Sequence, residues 1–66
     1  MRVTVDGFPE DFPAGLTIAD LVDIRKADDT TLITEVNHRF IHKKDYGLTV
    51  LVDGDQVEFI YAAFGG

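Results

Sequence analysis

The 66-residue chain predicts a small α+β domain in which one main helix packs across a mixed sheet of four or five strands. Short runs of alternating apolar and polar residues, Met1 to Asp6 and Gln56 to Ala63 among them, have the period of half-buried strands. One stretch, Ile18 to Lys26, instead spaces Ile18, Leu21 and Val22 at three and four, the stripe of a helix with one buried face. Two Asp-Gly pairs, at 6–7 and 53–54, are hairpin turn signals.

Val3 and Val5 fall on one face of the opening strand, Arg2 and Thr4 on the other. After the first Asp-Gly turn, Phe8 to Phe12 pairs back, and Pro9 and Pro13, which donate no ladder hydrogen bond, suit an edge. Thr17 is the expected N-cap, with Asp20 at the third helical position as the acidic half of a capping box. Asp28, Asp29 and Thr30 blur the helix end. Leu32 to Val36 reads as a strand, and Asn37-His38 as a break before Phe40 and Ile41. The polar segment between His42 and Gly47 suits a turn or a short helical crossover. Across the second Asp-Gly turn, Val50 to Val52 and Gln56 to Ala63 are expected as adjacent antiparallel strands. No internal repeat, linker or low-complexity stretch interrupts the order, so residues 1–66 are read as a single domain.

Composition narrows the function. A chain this short buries only about 60% of the surface its unfolded form exposes, which leaves room for one modest core. Cysteine is absent, so stability comes from packing rather than from disulfides or a thiolate metal site. A net charge of -6 repels nucleic-acid phosphates and anionic lipid surfaces, and neither is an expected partner. No basic segment followed by an apolar run opens the sequence, and no apolar stretch approaches the roughly 20 residues that cross a bilayer. A cytoplasmic protein, monomeric when free, is the expectation.

Four pieces then carry a resemblance: TIADLV at 17–22, EVN at 35–37, TVLVDGDQVEF at 49–59, and the terminal Gly65-Gly66. In this order and spacing the chain resembles, over essentially its whole length, the ThiS-like sulfur carriers. These lie within the ubiquitin-like β-grasp superfamily that also holds the small subunit of molybdopterin synthase. The resemblance implies a protein co-substrate rather than an enzyme, with no bound cofactor. An E1-like, ThiF-like adenylyltransferase would use ATP to adenylate the C-terminal carboxylate of Gly66. A sulfur donor such as a cysteine desulfurase would supply the sulfur of a thiocarboxylate, and a ThiG-like thiazole synthase would accept it for thiamin biosynthesis. Alternatives are a carrier for molybdopterin, tungsten-cofactor or sulfur amino-acid synthesis, a ubiquitin-like binding module, and a covalent modifier of lysines.

The resemblance gives the glycines a purpose. Glycine loses more freedom on ordering than any other residue and adds little to a fold, but an end without Cβ atoms enters a narrow cleft unobstructed. Residues 64–66 are therefore read as a reactive tail, with Gly65 and Phe64 as the part an activating enzyme recognises. Phe64 departs from the smaller residue common there; its ring must fit a pocket on that enzyme or lie against the carrier's own sheet. Asn37-His38 and Ile41-His42 also depart from the Asn-Gly, valine and proline of many relatives. The paired prolines of molybdopterin synthase small subunits are missing, which favours the thiazole-type carrier.

If Glu58 marks the solvent side of the last strand, Ile60 and Ala62 share that side and form an apolar docking strip leading to the tail. Ile33 and Arg2 join that face if the register allows. His38 and His42 lie four apart but lack the three or four converging ligands a zinc site needs, so no metal is expected. Arg39, Lys43 and Lys44 read as a solvated basic face, and Asp53-Gly54-Asp55 as a turn, its spacing failing the calcium-loop pattern.

Overall fold

The computed structural model describes residues 1–27 and 32–61. Strand β1 (Arg2–Val5) runs into β2 (Phe8–Asp11) through Asp6 and Gly7, whose φ of 50° and 87° give the left-handed two-residue turn that matches strand twist. The two pair antiparallel from Arg2 opposite Asp11 to Val5 opposite Phe8. Backbone bonds between Met1 and Phe12 extend the pairing by one step. Pro9 sits on β2, which is an edge strand as its chemistry requires.

Helix α1 (Ile18–Arg25) begins at Thr17 with the expected capping box. The Thr17 hydroxyl accepts from the Asp20 N–H at 3.1 Å, and the Asp20 carboxylate accepts from the Thr17 N–H at 3.0 Å. Lys26, in the left-handed region at φ 53°, ends the helix one residue before the expected limit. An Arg25–Glu10 ion pair ties this end to β2. Residues 28–31, which include the expected blurred end, lie outside the described residues.

Strand β3 (Leu32–Val36) turns tightly at Asn37 and His38, both left-handed at φ 52° and 66°, into the short strand β4 (Arg39–Ile41). The expected break is therefore a two-residue hairpin. A 3-10 helix (Lys43–Leu48) is the expected crossover, and β5 (Gln56–Tyr61) closes the sheet in the order β2-β1-β5-β3-β4. Strand β5 runs parallel to β1 and antiparallel to β3.

The second expected hairpin does not form. Both edges of β5 are occupied by β1 and β3, and the 48–52 segment turns instead toward the start of α1. There the Ile18 N–H donates to the Thr49 carbonyl and the Leu51 N–H to the Leu16 carbonyl, around a single bridge between Thr17 and Val50. This exchange places Leu51 in the core, where burying its side chain is worth about 1.5–3 kcal/mol. The turn at 53–55 persists without pairing its flanks, because the Asp55 carboxylate accepts from the Val52 N–H and Asp53 accepts from the Arg2 N–H.

The core lies between the helix and one sheet face: Val3, Val5, Leu16, Ile18, Leu21, Val22, Ala27, Tyr46, Leu51 and Val57. Among the described residues Thr34 is the buried polar exception, and its hydroxyl meets the Tyr46 hydroxyl at 2.8 Å. Among the described residues, no buried side-chain polar atom lacks a partner.

Candidate functional site on the outer face of the sheet

Alternation along β5 fixes which residues face away from the helix. Val57 is buried and Phe59 packs against the core, so Glu58 and Ile60 point outward. Strand β3 pairs residue for residue: Ile33 stands opposite Ile60 and Glu35 opposite Glu58. The tight turn then sets β4, placing Phe40 opposite Glu35. The outer face thus carries Ile33 and Ile60 beside the end of β5, Glu35 and Glu58 one step back, and Phe40 toward the edge. Ile60 is 40% exposed and Phe40 55%. On the helix side, Phe8, Phe59 and Tyr61 line an open groove of about 390 Å³, with Arg25 and Glu10 also on its wall.

Two neighbours hold β5 in this position. The Asp6 carboxylate accepts from the Phe59 N–H at 2.9 Å, extending the bonding beyond the end of β1. The Asn37 side chain accepts from the Gln56 N–H and donates to Asp55, both at 2.9 Å, pinning the β3–β4 turn to the start of β5. A short polar residue tolerates the left-handed backbone and still bonds locally, which suits Asn to this place.

Of the sequence-predicted site residues, Glu58 and Ile60 lie together on the outer face as expected, with Ile33 beside them. Arg2 shares the face but sits toward its opposite end, near the 53–55 turn, ion-paired with Asp11 at 3.7 Å. Ala62, Phe64, Gly65 and Gly66 lie outside the described residues. Lys44 pairs with Asp45, and His42 packs edge-on against Phe40 with ring centroids 4.7 Å apart. Sequence reading missed Glu35, His38 and Phe40 as members of this face. The signal for them was the two-residue turn, since once Val36 opposes Arg39 the neighbours are set in turn.

A five-stranded mixed sheet gripping one helix, with parallel first and last strands, defines a ubiquitin-like β-grasp domain. The family model for the ThiS family matches residues 3–66. The chain belongs to the ThiS family of sulfur carriers. It is similar to the crystal structure of a thiamine biosynthesis protein (ThiS) from Geobacter metallireducens, with a TM-score of 0.87 and 29% identity over the full length of both chains. It is also similar to the solution NMR structure of a thiamine biosynthesis protein from the same organism, with a TM-score of 0.78 and 30% identity, covering all of this chain and 88% of the other. No curated protein matches the chain significantly. No helix among the described residues is long and apolar enough to cross a membrane.

Proposed function

We propose that this protein carries sulfur as a thiocarboxylate on Gly66 for the assembly of the thiamin thiazole in the cytoplasm. The observation that carries the reading is that the family match runs through residue 66 and so includes the terminal diglycine. The outward pair Ile33 and Ile60 beside the last described residues of β5 supports it, as an apolar surface on the strand that precedes the diglycine in sequence. In the proposed cycle a Gly66 carboxylate oxygen attacks the α-phosphorus of ATP on a ThiF-like enzyme, and pyrophosphate leaves. Sulfur originating from a donor such as a cysteine desulfurase then replaces AMP, and a ThiG-like synthase takes the sulfur. The protein binds no cofactor of its own in this cycle. Its contribution is to present the tail, with Gly65 and Phe64 read by the enzyme and Glu58, Ile60 and Ala62 docking against it.

Intact mass after incubation with ATP, a sulfur donor and the E1-like enzyme of the same organism tests this. The expected gain is the replacement of one oxygen by sulfur. Deleting Gly66 should abolish that gain and leave the circular dichroism spectrum unchanged. A folded deletion variant that still gains sulfur overturns the assignment. No gain with an enzyme active on its own carrier favours a binding module instead.

A further inference from the structure

We infer that Glu35, His38 and Glu58 form a binding site for a first-row divalent transition metal ion, with zinc as the working case. One ligand atom from each residue can be chosen so that all three lie within 4.8 Å of one another. The His38 Nδ1 is 3.6 Å from the Glu58 Oε1. Ligands bound at about 2.1 Å around a tetrahedral ion stand about 3.4 Å apart, so small side-chain rotations bring the trio to ligating distance.

The arrangement is more than adjacent acids. Glu35 and Glu58 are directly opposed across antiparallel strands, where like charges destabilise a sheet, and a dication between them converts repulsion into attraction. The third donor is an imidazole nitrogen, brought over the pair by a turn that Asn37 holds against β5. One nitrogen with two carboxylate oxygens suits zinc, cobalt or nickel better than calcium or magnesium, which take all-oxygen shells. Three protein ligands on an accessible surface leave a coordination position for water or for a side chain of a docked protein. His42, the histidine paired with His38 by linear spacing, is turned toward Phe40 and takes no part. An ion here offsets the two glutamate charges beside Ile60, so occupancy would change the electrostatics of the outer face. The inference stands apart from the carrier chemistry and does not depend on it.

The test is isothermal titration of the metal-free full chain with zinc chloride, alongside cobalt(II) absorption and thermal melts. The wild type should bind one equivalent saturably, show a cobalt visible band above that of the aqueous ion, and melt higher with zinc. His38→Gly removes the imidazole while giving the left-handed turn position a residue that prefers it, so this variant should stay folded. It should lose at least tenfold in affinity and its zinc-dependent melting shift, as should Glu58→Gln, whereas His42→Ala should bind like the wild type. Absence of saturable binding to the wild type overturns the inference. So does binding by His38→Gly within twofold of wild type, or equal loss in His42→Ala.

Discussion

Removing the Tyr46 hydroxyl tests how the outer face is held from behind. Thr34 is 0% exposed at the centre of β3, between Ile33 and Glu35, and its hydroxyl meets the Tyr46 hydroxyl at 2.8 Å. Tyr46→Phe keeps the ring and strands the Thr34 hydroxyl in the core. A buried polar group without a partner costs about 1–3 kcal/mol, and a value near 1.5 is expected here because threonine keeps rotational freedom to seek a backbone acceptor. In a 66-residue domain that corresponds to a fall in Tm of about 6–12 °C. Thr34→Val strands the tyrosine hydroxyl and is expected to cost about 1 kcal/mol, less because Tyr46 lies nearer the surface. The double variant removes both polar groups at once and should cost less than the sum of the singles by at least about 1 kcal/mol. Urea unfolding monitored by circular dichroism measures all four proteins on one scale. Strictly additive singles, or a Tyr46→Phe protein within about 0.3 kcal/mol of wild type, would refute the idea that this pair fixes β3 against the 3-10 helix.

The capping box and the outer strip give two more expected outcomes. Thr17→Ala removes the hydroxyl that accepts from the Asp20 N–H, leaves the residue-17 N–H donating to the Asp20 carboxylate, and should lower stability by about 1 kcal/mol in the same urea assay, with Thr17→Ser restoring most of it. Ile60→Asp places a charge on the outer strip beside Glu58; the Tm should change little, while enzyme-dependent thiocarboxylation at subsaturating carrier should fall at least tenfold, and an unchanged rate would remove Ile60 from the docking surface.

The elements written in local chemistry were legible from the sequence. Thr17 and Asp20 announce α1 because capping involves residues three apart, and Asp6-Gly7 announces the first hairpin because the turn dictates its pairing. The Asp53-Gly54 signal was just as clear locally, yet it misled about which strands pair. A turn reports that the chain reverses, and the choice of partner for β5 depended on β1, some 50 residues earlier, and on β3. The same limit applied to the site. Alternation revealed Glu58 and Ile60 on one strand, but Glu35, His38 and Phe40 join them only through cross-strand register. Linear spacing offered His38 only His42, too few ligands for a metal, while its neighbour in space, Glu58, lies 20 positions away and is found only through the fold.

The central place of β5 has a mechanical consequence. Its start, Gln56 and Val57, pairs with β1 on one side, the Asp6 carboxylate continues that side to Phe59, and five consecutive pairs with β3 run along the other. A force applied to the C-terminal end and directed along the strand loads those ladders in shear, so that several bonds must yield together. The edge strand β4, by contrast, can be peeled one pair at a time. Under the proposed function, in which the end is grasped and released by larger proteins, the carrier is thus anchored through the strand best able to withstand the pull.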